Sequence, residues 1–159
     1  MRKIDIDEVV TFISEQGPNT KIYMGCDSYR FKSRGVWKVS YTTVLVVHMD
    51  GRHGCRVFGE IDIEEDYTKH DKKSLSKPRM RLMGEVYRVA GLYTKIGPVL
   101  DGYDVEIHLD INPDEVHGSS CVVNEAVGYI RGVCNVVPLV KPEAWAATHC
   151  ADHFREYIA

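Results

Sequence analysis

The stretch KIYMGCDSYR, residues 21–30, places an acid where a buried strand is expected. Ile22, Tyr23 and Met24 are strand formers, Gly25 and Cys26 are small, and Asp27 follows at once. A carboxylate in a packed strand costs several kcal/mol unless a partner or a metal ion offsets it. The fold and the chemistry both turn on which other acids meet Asp27.

Downstream, VWKVSYTTVLVVHM (36–49) is rich in β-branched and aromatic residues and reads as a long strand. Asp50-Gly51 is a hairpin signal, and CRVFGEIDI (55–63) alternates and pairs back. Three consecutive strands, the first ending at Asp27, form an antiparallel meander. Upstream, Ile6, Val9, Val10, Phe12 and Ile13 give a short helix an apolar side, and Gly17-Pro18 ends it. From Ser76 to about Leu92, the residues Leu82, Val86, Val89 and Tyr93 recur at helical spacing. Pro78 suits that helix's first turn, and Gly97-Pro98 breaks it.

YDVEIHLDIN (103–112) alternates strictly, with Val105, Ile107, Leu109 and Ile111 on one face and Asp104, Glu106, His108 and Asp110 on the other. Ser119-Ser120 can cap a helix through about Gly132. NVVPLV (135–140) reads as a fifth strand, with Pro138 marking an edge or a strand end. A last helix carries Trp145, Ala147, Ala151, Phe154 and Ile158. The order α-βββ-α-β-α-β-α predicts an α/β fold. Its five-stranded mixed sheet has an antiparallel meander of strands 1–3, then parallel crossovers, with helices on both faces.

The chain's 159 residues fit one domain, 1–159. No run of about 18 uncharged apolar residues suggests a membrane span, and MRKIDIDEVV has no signal-peptide core. Five cysteines without a C-x-x-C fit a reducing cytoplasm better than a disulfide framework. A net charge of −3 argues against coating nucleic acid by bulk attraction. Distribution matters more. KHDKKSLSKPRMR (69–81) sets Lys69, Lys72, Lys73, Lys77, Arg79 and Arg81 against the single acid Asp71, and Arg30, Lys32, Arg34 and Lys38 form a second cluster. Such runs are ordinarily solvated surface. Their position beside the acids makes Lys72, Lys73, Lys77, Arg79, Arg81, Arg30 and Lys32 candidates for gripping a phosphate backbone.

In mixed sheets, ligands collect at the carboxyl ends of parallel strands. Asp27 and Asp110 both lie near such ends, and if their strands are parallel neighbours the two carboxylates face each other. Paired carboxylates repel unless a cation lies between them. The chemistry that uses this arrangement is metal-dependent phosphoryl transfer, with Mg²⁺ or Mn²⁺ as one or, better, two ions. Glu85 lies beside the apolar stripe of its helix and can point to the sheet edge, and Asp152 lies between Ala151 and Phe154 on the last helix.

This combination resembles the ribonuclease H-like superfamily, and within it the YkuK-like family of small bacterial and phage proteins, predicted nucleases. The resemblance rests on GCDS (25–28), the glutamate of MGEVYR (83–88), HLDIN (108–112) and KPEAWAATHCADHF (141–154), and spans roughly residues 20–156. It implies that Asp27, Glu85, Asp110 and Asp152 are the catalytic, metal-binding carboxylates, and that residues 1–19 are a helical extension. The superfamily's last acid sits near the start of its helix. Asp152 fits if Thr148 is the N-cap, and lies two to three turns inside if the helix starts near Glu143.

Other groups are weighed against blander readings. His153 could shuttle a proton or touch phosphate, and His117 could aid product release. His149 and His153, spaced i, i+4, could share a zinc, but an exposed helix face is the plainer reading. His108 reads as a polar group on a half-covered face, Cys26 as core filler, and Asp62 and Glu64 as strand or loop surface. Tyr29 and Phe31 could stack on a base, though hairpin packing explains them as well. The expected function is a metal-dependent nuclease that hydrolyses phosphodiester bonds of RNA, DNA or a hybrid. The alternatives are a non-catalytic module that keeps the fold and binds nucleic acid or a protein, and a phosphatase acting on small esters.

Overall fold

The computed structural model describes residues 2–51, 53–66, 79–112 and 119–158. The sheet is built from β1 (Lys21–Ser33), β2 (Val36–His48), β3 (Cys55–Glu65) and β4 (Asp104–Leu109), in the order β3-β2-β1-β4. β1 pairs antiparallel with β2, β2 antiparallel with β3, and β1 parallel with β4. The mixed sheet with its leading meander is as the sequence predicts.

Two strand expectations are corrected. The sheet has four strands, not five: residues 135–140 touch β4 only through an isolated parallel bridge, His108 with Leu139. Leu139 N–H donates to Ile107 O at 2.8 Å and Leu109 N–H to Leu139 O at 2.8 Å. Two residues on, Lys141 N–H donates to Ile111 O at 3.0 Å, so the segment follows β4 without forming a ladder. Pro138, next to Leu139, faces away from β4, and its missing N–H does not limit this pairing. The second correction is the end of β1, which passes Asp27 and runs on to Ser33. Arg34 (φ 50°) and Gly35 (φ 80°) form the two-residue turn into β2. Positive φ at both positions matches the right-handed twist of the flanking strands. Asp27 is therefore a mid-strand residue of β1.

The helices are α1 (Ile6–Ser14), α2 (Arg79–Ile96), α3 (Ser119–Cys134) and α4 (Ala151–Ile158). Asp5 caps α1, its carboxylate accepting from Glu8 N–H at 3.1 Å. Gly97–Leu100 forms a 3₁₀ turn at the predicted break after α2. α1, α2 and α3 cover one sheet face, where Ile22, Met24, Leu45, Val47, Ile107 and Leu109 pack against Leu82, Val86, Val89 and Ile130. Alternation along β1 sends Tyr23, Gly25 and Asp27 to the opposite face.

That opposite face is covered by the last helical segment, which opens with a π-helical turn at Ala146–Cys150 and continues as α4. Val44, Ala146 and Ala151 pack there against Tyr23 and Phe154. The segment sits backbone to backbone on β1: a Cβ at Gly25 would lie 2.5 Å from Ala147 N and 2.7 Å from Ala146 C. His108 pins the same contact from β4, its Nδ1 accepting from Ala146 N–H at 3.0 Å. His108 is thus fully buried, not on a half-covered face.

Gly25→Ala forces this seat apart and is expected to cost about 2–3 kcal/mol in urea unfolding. Gly91→Ala, in the interior of α2 with nothing within 4 Å of its Cβ, is expected to gain about 0.5–1 kcal/mol. Equal effects of the two changes would contradict the packing described.

Candidate metal and nucleic-acid site

Asp27, Glu85 and Asp110 converge. One carboxylate oxygen from each lies within 4.8 Å of the other two. The convergence follows from strand lengths. β4 pairs with β1 only as far as Cys26↔Leu109, and the next residues are Asp27, mid-strand in β1, and Asp110, just past the end of β4. Where β4 stops, the sheet edge opens, and Glu85 reaches in from α2 on the far face.

Glu85 is only 3% exposed, and its depth has a local cause. The preceding Gly84 lets α2 approach β2, since a Cβ there would lie 2.6 Å from Tyr41 Oη. Ser28 Oγ donates to Glu85 Oε1 at 2.6 Å. Arg81, one helical turn before Glu85, donates through Nη2 to Ser28 O at 2.9 Å and holds Ser28 Oγ at 3.3 Å. Asp110 is met by Lys141, whose Nζ lies 2.8 Å from Oδ1. Thr42, the cross-strand partner of Asp27, is fully buried, and its Oγ1 has no hydrogen-bond partner among the described residues.

Three acidic oxygens crowded together are a donor set for a hard divalent cation. Oxygen ligands at this spacing fit Mg²⁺ or Mn²⁺ rather than a soft metal. At an effective dielectric constant near 20, each pair of charges about 5 Å apart repels by about 3 kcal/mol.

Asp152 is not in the three-acid cluster. It lies in the first turn of α4, where Arg155 Nη2 holds its Oδ1 at 2.8 Å. Arg155 stacks on the Tyr29 ring, 4.4 Å from its centroid, so Asp152 lies along the sheet face that carries Asp27 and Tyr29. The helical segment starts at Trp145 and runs on through the π turn into α4, so Asp152 lies about two turns inside it, closer to the expectation for a start near Glu143 than for a Thr148 cap. π turns are frequent at functional sites.

His153 is exposed and 4.0 Å from Glu156. His149 and His153 belong to no three-ligand metal cluster among the described residues. His117 and the basic residues Lys69, Lys72, Lys73 and Lys77 lie outside the described residues. Of the remaining basic candidates, Arg30 pairs with Asp66 and stacks on Trp37 at 3.8 Å, and Lys32 lies 5.8 Å from the same ring. Arg79 makes a two-pronged pair with Glu125, and Arg81 buttresses Ser28. Tyr29 and Phe31 pack together, ring centroids 5.5 Å apart, on the hairpin that overhangs the site.

Burial raises the Cys26 thiol well above its ordinary pKa, which fits core filler rather than a nucleophile. Asp62 and Glu64 are tied to Arg88 at 2.7 and 3.1 Å. Burial lowers the His108 pKa, against an opposing effect of Glu106, so the ring is neutral, with Nδ1 accepting and Nε2 donating to Glu106.

Sequence reasoning did not single out Ser28, Thr42 or Lys141 as parts of this site. Lys141 carried a signal: it follows NVVPLV directly, so any pairing of that segment alongside β4 puts it beside Asp110.

An ion bound only by the folded chain stabilises it by about 2.7 kcal/mol at 100 times its dissociation constant. Mn²⁺ is therefore expected to raise the melting temperature by about 5–10 °C over chelator. In Asp27→Asn that rise should vanish, while the variant in chelator melts no lower than wild type. An undiminished Mn²⁺ effect in Asp27→Asn would place any ion elsewhere.

Among the described residues, no helix is long and apolar enough to cross a membrane. No curated protein and no solved structure matches the chain. A family model described as Ribonuclease H-like matches residues 5–156. With a mixed sheet and an acid cluster at the end of its parallel pair, the chain belongs to the ribonuclease H-like family.

Proposed function

We propose that the protein is a metal-dependent nuclease that hydrolyses nucleic-acid phosphodiester bonds, most similar in motif to the YkuK-like branch of the family. The observation that carries this reading is the meeting of Asp27, Glu85 and Asp110 within 4.8 Å in a chain of ribonuclease H-like family. We read residues 1–159 as one domain, with residues 1–19 as its helical extension.

Asp27 and Asp110 anchor Mg²⁺ or Mn²⁺, Glu85 closes the set from α2, and Asp152 serves a second ion from the start of α4. Divalent ions so held supply neutralising charge and lower the pKa of bound water. Glu85 needs its oxygen aimed at the edge of the sheet, and Ser28 with Arg81 supplies that aim. The seat of Ala146 and Ala147 on Gly25 fixes α4, and with it Asp152, over the same face. No side chain is required as a covalent nucleophile.

The phosphate backbone is received by the cationic hairpin of Arg30 and Lys32 and by the basic segment leading into α2, Lys72, Lys73, Lys77, Arg79 and Arg81. His153, solvent-facing beside Asp152, and His117 are auxiliary candidates for proton transfer or product release.

The alternative is a non-catalytic module that binds nucleic acid or a protein. Its protein-binding form is favoured by the internal pairing of Arg30 with Asp66 and of Arg79 with Glu125, which spends cations that any nucleic-acid groove would present.

The test is a panel of labelled RNA, DNA, RNA–DNA hybrid and a small phosphate ester, with Mg²⁺ or Mn²⁺ and then with chelator. The expected result is polynucleotide cleavage that stops with chelator and falls by about 10²-fold or more in a folded Asp27→Asn variant. Salt-sensitive binding without turnover would establish the module instead, and turnover of the small ester alone would establish a phosphatase.

A further inference from the structure

Lys141 sets an ammonium against the acid cluster at Asp110. Its Nζ is 2.8 Å from Asp110 Oδ1. The Asp110 side chain is 9% exposed and the Lys141 side chain 42% exposed, so the carboxylate is built in while its cation reaches it from the solvent side. The backbone is fixed at the same point: Lys141 N–H donates to Ile111 O at 3.0 Å, and Leu139, two residues earlier, is bridged to β4. The strand-like segment that failed to become a fifth strand thus delivers Lys141 beside the last residue of the acid set.

A divalent cation held by Asp27, Glu85 and Asp110 would share the Asp110 carboxylate with this ammonium and repel it. That repulsion favours a place for the ammonium away from Asp110. Its four-carbon stem is flexible, and its root is pinned at the rim of the site. The open direction is toward solvent, from which a polynucleotide backbone must approach the ion.

We propose that Lys141 is the internal counter-ion of the acid cluster: it occupies Asp110 until a divalent ion displaces it, and it then contacts a backbone phosphate of the substrate. The proposal rests on the nuclease reading of the site and assigns a residue to substrate binding that the acid pattern alone does not reveal. The two roles have opposite signs. Lys141 opposes ion binding and assists polynucleotide binding. A residue that merely props up the loop would weaken both when removed.

The experiment is calorimetric titration of Mn²⁺ into wild type, Lys141→Met and Lys141→Gln without nucleic acid. Single-stranded and duplex oligonucleotides are then titrated in Ca²⁺, with folding checked by circular dichroism. Both variants are expected to bind Mn²⁺ about tenfold more tightly than wild type. Both should bind the preferred oligonucleotide several-fold more weakly, with a salt dependence shallower by about one phosphate contact. Lys141→Arg should bind oligonucleotide close to wild type. Unchanged or weaker Mn²⁺ binding in the two folded variants overturns the proposal and leaves the ion site standing. Absence of Mn²⁺ binding in wild type and variants alike overturns both. Unchanged oligonucleotide binding overturns the phosphate contact.

Discussion

Like-charge repulsion among Asp27, Glu85 and Asp110 is the constraint to which the rest of the molecule answers. Three carboxylate oxygens within 4.8 Å of one another do not gather by their own preference. Each is brought there by packing that has other reasons to exist. Asp27 rides on the central strand, Asp110 on the short parallel strand beside it, and Glu85 on a helix drawn close by Gly84. The core on the α2 face holds these elements in place whatever the acids prefer. The repulsion is stored until a cation relieves it, as Lys141 does in part at Asp110. Such local destabilisation is the usual cost of a preorganised site.

The seat of the last helix on Gly25 links this pocket to the opposite face. Because the π turn at Ala146–Cys150 touches the β1 backbone, the last helix passes close to the sheet, and Asp152 rides on it about two turns from its start at Trp145. Arg155 binds Asp152 and stacks on Tyr29, two residues beyond Asp27 on the same face. The β1–β2 hairpin therefore does two things. It carries Asp27 at mid-strand, and past the end of β4 it presents Tyr29, Phe31, Arg30 and Lys32 as an arm of aromatic and cationic side chains.

Much of this was legible in the sequence, for identifiable reasons. The alternation of 103–112 and the abrupt acid after Met24-Gly25-Cys26 put Asp110 and Asp27 near strand ends, to face each other if the strands were parallel neighbours, as they are. Glu85 was legible from its place beside the stripe of Leu82, Val86 and Val89. The hairpin tip was not, because Arg34-Gly35 is an uncommon pair for a turn that needs positive φ at both positions. β1 therefore looked as if it ended at Asp27. The fifth strand was over-read because NVVPLV has strand composition, but only its Leu139 forms a bridge to β4. His108 was read as half-covered because the descent of the last helix onto Gly25 is a long-range event with no local signature. Ser28 and Thr42 were passed over for the same reason: their roles depend on which face their neighbours share.

The central claim is that the three acids form one divalent-cation site. Its most direct test is the anomalous difference map of a crystal soaked in Mn²⁺. The account predicts a strong peak bounded by oxygens of Asp27, Glu85 and Asp110, with the Lys141 ammonium moved off Asp110. A map with no peak between those three carboxylates at saturating Mn²⁺, or with Mn²⁺ held only at another surface, would contradict it.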